Sequence, residues 1–327
     1  MARTAGFSVD GIRARRDAEW QDLRRGTYAC SGIAPGPVMR AAAAVLAAGG
    51  SLRPLGDRDE PPRWVTRSDW SRGSDWTQWV DPADQDAPLA QVVAAGRTAA
   101  RVWEIPLVDD EDPATERHEA HHDDVLRTEG RCRTGTLHSR RARFDATSVV
   151  HVQGVPVLSP LQTVVDLAVV LRPDALVAAL DHVFHTELVA LPVVEALSAA
   201  NRRGEDGAVA LRNALGLTDP KAESPHESLT RLVLKPVLPE LESQVRVLNR
   251  HGWLVARLDL GDRALRLGVE SDGAAYHRGR AAADRRRDSR TGWTIERVSW
   301  YETRREQEQL RRRVLATADG LRNSAAA

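Results

Sequence analysis

The sequence predicts a mixed α/β protein, and three observations carry that expectation. Stretches with Leu and Val at helical spacing occupy 174–184, 192–200 and 207–217. Strand-like runs follow at 243–248, 253–260 and 265–271, divided by the turn signals His251-Gly252 and Gly261-Asp262. A helix start precedes these runs, and a basic helical stretch and another strand follow them, so the last third reads helix, three-strand meander, basic helix, strand.

Taken in chain order, Asp10 can cap a short helix carrying Ile12, Arg13, Arg15 and Arg16, and Trp20 to Tyr28 reads as a hairpin with a basic tip at Arg24-Arg25. An Ala-rich helix is expected over 38–48. Between 49 and 87, Trp64, Trp70, Trp76 and Trp79 sit among Asp, Arg, Ser and Pro. Two readings stand for them: rings that stack on bases, or rings that anchor an irregular insertion. Farther on, Ser159 caps and Pro160 opens a helix that runs to about Leu171.

The chemistry is expected between Ala222 and Trp300. Ser224 is a natural N-cap, Pro225 sits where a missing N–H costs nothing, and Glu227 falls at capping-box spacing, ahead of an apolar stripe of Leu229, Leu232 and Val233. In the second strand Leu254, Ala256, Leu258 and Leu260 form one face and leave Asp259 on the other. In the third, Leu265, Leu267 and Val269 are apolar, so Glu270 and Asp272 point away from them. A turn centred near Ala264 sets Asp259 opposite Glu270, with Cβ atoms about 5 Å apart. Such carboxylates repel, and hard oxygen donors of this kind suit Mg²⁺ or Mn²⁺ between them.

At these residues the chain resembles the PD-(D/E)xK nuclease superfamily, and more narrowly an actinobacterial branch whose C-terminal domain is similar to very-short-patch-repair endonucleases. The resemblance rests on Ser224-Pro225-His226-Glu227-Ser228, Gln244-Val245, Leu258-Asp259-Leu260, Glu270-Ser271-Asp272-Gly273 with His277, Asp284 to Arg287, and Gly292-Trp293. It implies a restriction-endonuclease-like α-β-β-β-α-β core over 218–327 that cleaves phosphodiester bonds in DNA with Mg²⁺ or Mn²⁺. Asp259 and Glu270 are then metal ligands, the Ser271 carbonyl a further one, and Glu227 a ligand directly or through water. The superfamily's lysine is absent, because Asp272 occupies its position, which leaves His277 and Gln244 as groups that orient or transfer a proton. The connection from Arg287 to Gly292 is also shorter than the branch pattern.

Upstream, residues 1–34 are similar to the recognition helix and wing of the winged helix-turn-helix in type IV abortive-infection (AbiEi-like) antitoxins. No preceding helices fit before Phe7, so a partial module is expected. Residues 35–217 resemble the α/β and helical region of the same architecture: a helix carrying Thr98-Ala99-Ala100, a strand, then Ser159-Pro160 leading to Asp166-Leu167-Ala168.

The 327 residues carry 46 Lys and Arg against 46 Asp and Glu, so global charge argues neither for nor against a nucleic-acid partner. Local charge says more. Arg278, Arg280, Arg286 and Arg287 cluster after the acid motif and suit phosphate contact, although a solvated helix face has the same composition. Cys30 and Cys132 make neither a disulfide framework nor a zinc site. No stretch reads as a signal peptide or membrane span, so a reducing cytoplasm is expected. His118-Glu119-Ala120-His121-His122 satisfies H-E-x-x-H but lacks apolar flanks and a third ligand, and a zinc hydrolase is set aside. The competing expectation is a catalytically silent DNA-binding regulator. RNA is a further candidate substrate, and pairing into a homodimer would allow both strands to be cut.

Overall fold

The computed structural model describes residues 14–15, 20–24, 27–32, 34–53, 90–108, 122–130, 133–144, 146–200, 206–272 and 292–326. Trp64, Trp70, Trp76, Trp79, His118, His121, His277 and the arginines from Arg278 to Arg290 therefore lie outside the described residues, as does most of the helix expected after Asp10. The fold is mixed α/β and divides into two compact units, 1–172 with 186–212, and 173–185 with 213–327. No described helix is long and apolar enough to cross a membrane.

In the first unit, β1 (Trp20–Arg24) and β2 (Thr27–Cys30) form the expected antiparallel hairpin, with Trp20 stacked on Tyr28 at 5.7 Å. At the described edge of its tip, Arg24 is bonded to Asp123. The Ala-rich helix α1 spans Pro37–Ala47 and buries Ala41, Ala43, Ala44 and Val45. Strand β3 (Val92–Ala95), buried throughout, leads directly into α2 (Gly96–Val102), which carries Thr98-Ala99-Ala100. The strands β4 (Asp123–Arg127), β5 (Arg133–Thr134), β6 (Leu137–Arg141), β7 (Val149–Val152) and β8 (Val155–Leu158) complete a six-stranded sheet of order β5-β6-β4-β3-β8-β7.

The turn from β3 into α2 requires glycine. Gly96 has φ 48°, and a Cβ there would meet the Asp124 carboxylate at 2.7 Å. That carboxylate accepts from the Arg97 N–H at 3.0 Å, while Asp166 accepts from the Gly96 N–H at 2.8 Å and from Arg140 at 2.6 Å. Helix α3 (Pro160–Val170), which presents Asp166, opens as its sequence predicts: the Ser159 hydroxyl accepts from the Gln162 N–H.

The second unit takes in α4 (Pro173–His185), a helix that precedes α5 (Leu191–Ala200) and α6 (Ala208–Leu215) in the chain. It packs on α7 (Pro225–Leu234) through a buried pair in which Arg231 donates to Asp181 at 2.7 Å. Asp181 also accepts from the Asp219 N–H, and Arg231 reaches the Leu217 carbonyl, so the ion pair is embedded in further hydrogen bonds. Strands β9 (Glu242–Leu248), β10 (Leu254–Asp262), β11 (Leu267–Asp272) and β12 (Thr294–Ser299) form a sheet of order β12-β11-β10-β9. Only β11 and β12 are parallel within it. Helix α8 (Trp300–Arg305) starts with a reciprocal capping box between Ser299 and Glu302, and α9 (Gln307–Ala326) follows. Leu234, Leu238 and Val233 meet Leu260, Leu267, Val269 and Val298 of the sheet and Leu310 and Val314 of α9 in one core.

Three sequence expectations are corrected here. Gly261-Asp262 is not the turn: β10 continues through both residues and the turn falls at 263–266. Gly261 is glycine because a Cβ would lie 3.1 Å from the Trp293 ring and from a Val245 methyl, while the Asp262 carboxylate accepts from the Leu265 N–H and closes the later turn. Trp253 is not a strand residue and is 72% exposed, and Leu254 at the strand's start is also exposed. Leu258 and Leu260 enter different apolar clusters, Leu258 with Val245 and Val247. The alternation breaks beside Asp259, opposite Gln244, whose φ is 55°.

Removing one partner of the Asp181–Arg231 pair strands a buried charge. Asp181→Ala is expected to cost about 3–5 kcal/mol, measured by urea unfolding, and a loss below about 1 kcal/mol would contradict the buried geometry.

Candidate functional site

The acid residues singled out by sequence converge on one end of the second sheet. The pairs Leu260 with Val269, Gly261 with Gly268 and Asp262 with Leu267 fix the β10–β11 register, and Asp259 and Glu270 follow where that ladder ends, with Asp259 bonded to the Ser271 N–H. On the other side of β10, Leu258 faces Val245 and Leu260 faces Ser243, which brackets Gln244 opposite Asp259. The third strand starts at Leu267 rather than Leu265, without changing this alignment.

Glu227 reaches the same place from the first turn of α7. The Ser224 hydroxyl accepts from the Glu227 N–H at 3.2 Å, which starts the helix as predicted. The reciprocal half of the capping box is altered. The Glu227 carboxylate accepts from the Ser224 hydroxyl at 2.9 Å and from the Glu223 N–H at 3.1 Å, and it also accepts from the Gln244 side-chain amide at 2.7 Å. Glu227 is only 7% exposed. Gln244 makes this bond from a left-handed backbone conformation inside a strand, which costs about 1–3 kcal/mol for a residue with a Cβ and persists where the surroundings enforce it.

Asp259 accepts from the Ser271 N–H at 2.8 Å. Its pKa is pushed up to about 6, chiefly by burial; the Ser271 N–H and Arg257 work against the rise, and the charges of Glu227 and Glu270 add to it. Three carboxylates are thus within electrostatic reach of one another. Glu270 is met from β12 by Arg297 at 3.5 Å. Arg257 grips Glu223 through two bonds of 2.6 and 2.8 Å.

Asp272 ends β11 with its backbone opposite Ser299. His277, Arg278, Arg280, Arg286 and Arg287 lie outside the described residues, so the structure brings together Glu227, Gln244, Asp259 and Glu270 from the expected set. Among the described residues, no group of three or more His, Cys, Asp and Glu could hold a metal ion. What the residues present offer is hard oxygen donors, the carboxylates of Asp259, Glu270 and Glu227, the first of them disfavoured as an anion. His122 of the H-E-x-x-H motif stacks on His138 at 4.5 Å in the other unit.

Sequence reasoning missed two features. Arg297 has no local signal, because its relation to Glu270 exists only through parallel strand pairing. Behind β11, a buried polar chain runs from His226 through Thr303 and Thr230, at 3.2 Å each, to the Ser271 hydroxyl at 3.4 Å. It ends on the side chain of the residue whose N–H binds Asp259. Burial pushes His226 below the usual imidazole range, and only the Ser299 carbonyl and Glu302 oppose that shift.

Comparison with known proteins places the chain beside two relatives in Mycobacterium tuberculosis, uncharacterized protein MT2308 of strain CDC 1551 and uncharacterized protein Rv2248 of strain H37Rv. Each is 32% identical over 179 residues, which is 52% of this chain and 65% of the relative. The chain thus spans less than two thirds of the length of these relatives, whose names carry no activity. No family model and no solved structure matches it.

A carboxyl whose folded pKa lies above its unfolded value of 3.8 holds its proton more tightly when folded. Stability therefore falls as pH rises from about 4 to about 6, and the ionised group destabilises fully above that. In EDTA, Asp259→Asn is expected to raise the melting temperature at pH 8, with the difference fading toward pH 4. Equal melting temperatures across that range would show that Asp259 is not in a crowded, desolvated position.

Proposed function

We propose that the chain is a metal-dependent nuclease that hydrolyses DNA phosphodiester bonds with Mg²⁺ or Mn²⁺, through a restriction-endonuclease-like core formed by the second unit. The observation that carries this reading is the crowding of Asp259 by the charges of Glu227 and Glu270 at the end of the β10–β11 ladder, with Gln244 bonded to Glu227. The order of α7, the antiparallel β9-β10-β11 and the parallel β12 supports the core assignment, since the family resemblance implies α-β-β-β-α-β.

In this reading the divalent ion, when bound, supplies a water of lowered pKa and neutralises charge on the phosphate. The chain does the rest. Ser271 N–H fixes one oxygen of Asp259. Gln244 and Ser224 hold the Glu227 carboxylate at the head of α7, where it can accept a proton or order a water. Asp272 in place of lysine means that no amine on β11 takes the proton-transferring role, which leaves Glu227, with His277 and Gln244, as candidates to orient water or transfer the proton. RNA fits the same chemistry as a substrate, and a pair of subunits would cut both strands of DNA.

A second reading is a catalytically silent DNA-binding regulator with a partial winged helix at its N-terminus. It is favoured by Asp272 and by the orientation of the acids, with Glu227 turned toward Gln244 and Glu270 toward Arg297. Against the winged helix, Arg24 at the hairpin tip is occupied by Asp123.

Supercoiled plasmid with Mg²⁺ or Mn²⁺ separates the two. Cleavage is expected in either metal and should stop in EDTA. Asp259→Ala and Glu270→Ala should each reduce it by at least about a hundredfold, more than the loss of an outer residue such as Gln244. Parent-like cutting by both variants would remove the assigned site, and salt-sensitive binding without nicking under any metal would favour the regulator.

A further inference from the structure

We infer that Thr230 is a positioning residue of the acid site: its hydroxyl holds Ser271 in place so that the Ser271 N–H stays on the Asp259 carboxylate, an inference that rests on the nuclease reading above. Thr230 lies one turn after Glu227 on α7, so the two side chains leave the helix on the same face. They reach different strands. Glu227 accepts from Gln244 of β9 at 2.7 Å, and Thr230 accepts from the Ser271 hydroxyl of β11 at 3.4 Å. In the sheet order β12-β11-β10-β9, those two strands flank β10, which carries Asp259. Helix α7 thus spans the strand that holds the crowded acid and fixes the neighbour on either side of it.

The link to Ser271 is anchored from behind. The Thr230 and Thr303 hydroxyls meet at 3.2 Å, and Thr303 also meets the His226 ring and the Ser299 carbonyl, each at 3.2 Å. A hydroxyl has one proton and two lone pairs, so these three neighbours use all that Thr303 offers. The chain therefore joins β11 and α7 to the corner where β12 turns into α8 at Ser299. Thr230 and Thr303 are 0% and 1% exposed, and valine would fill the same space without burying a hydroxyl. Packing alone gives no reason for the two hydroxyls. Ser271 does: it supplies the N–H that meets Asp259 at 2.8 Å, and that same N–H belongs to the peptide it shares with Glu270, so a shift of its backbone moves two acids together.

Two substitutions separate the hydroxyl from the shape. Thr230→Val keeps the branched outline without the hydroxyl, and Thr230→Ser keeps the hydroxyl without the methyl. Hydrogen exchange at the Ser271 amide, followed by NMR in EDTA, reads the link without metal or substrate, and plasmid cleavage in Mn²⁺ reads its consequence. The Val variant should lose about tenfold in Ser271 protection, while the amides of β9 keep theirs, and about tenfold in cleavage rate; the Ser variant should stay within about twofold of the parent in both. The reverse order, with Val parent-like and Ser impaired, means that Thr230 supplies only shape and overturns the assignment. So does faster exchange in the Val variant with parent-like cleavage. Thr303→Val breaks the next link and should reduce protection and cleavage in the same direction, which keeps the idea open to refutation if Thr230→Val does not fold. If the parent never cuts plasmid, the nuclease reading fails and exchange alone decides whether Thr230 holds Ser271 on Asp259. Faster exchange in the Val variant with parent-like exchange in the Ser variant then upholds that hold, and parent-like exchange in the Val variant overturns it as well.

Discussion

The second unit depends on one costly arrangement, the burial of Asp259 within reach of the charges of Glu227 and Glu270. Burial and two neighbouring acids all disfavour its ionised form, and the Ser271 backbone N–H and the charge of Arg257 oppose them. A sheet left to its own preferences separates like charges. Here the register is held by what lies one step away: Leu260 and Val269 are both fully buried against α7 and α9, and a slip of one residue would send them to the wrong face. Apolar packing thus holds an electrostatically unfavourable pair in place, a local conflict of the sort that clusters at functional sites.

Around that pair the supporting residues carry further strain and further bonds. Gln244 adopts a left-handed conformation within β9, and its amide then reaches the Glu227 carboxylate. Glu227 is presented by a helix whose start is fixed by Ser224 and Pro225 and whose far face is locked to α4 by Arg231 and Asp181. The chain from His226 to Ser271 threads polar groups through a region that apolar side chains could have filled more cheaply. Each of these features makes sense if the position of β11 at Ser271 matters more than the stability lost in fixing it.

The first unit shows the contrasting solution. Asp123, Asp124 and Asp166 are also buried together, yet each meets arginine: Arg24 and Arg101 at Asp123, Arg97 at Asp124, Arg140 at Asp166. Arg24, which sequence reading placed at the hairpin's basic tip, serves as counter-charge to a strand carboxylate.

Much of the local structure was legible. Ser159-Pro160 and Ser224-Pro225 start helices where the sequence says, and the antiparallel meander of β9, β10 and β11 follows from three apolar runs joined by short turns. The misreadings share a cause. Gly261-Asp262 looks like a turn because glycine and aspartate favour turns, but the glycine answers to a Trp293 ring that is 32 positions away in number and adjacent only in space. The strict alternation of Leu258 with Leu260 failed for a similar reason, beside a strained Gln244 that nothing local announces.

By itself, then, the sequence determined where helices begin, which strands pair consecutively and which acids could meet, because capping, periodicity and short turns are fixed by neighbouring residues. Tertiary structure alone decided the partners: Arg297 for Glu270, Gln244 for Glu227, Thr303 for His226 and Asp123 for Arg24. Those pairs join elements far apart in the chain, and the free energy that selects them comes from packing surfaces that exist only once the sheets and helices have assembled.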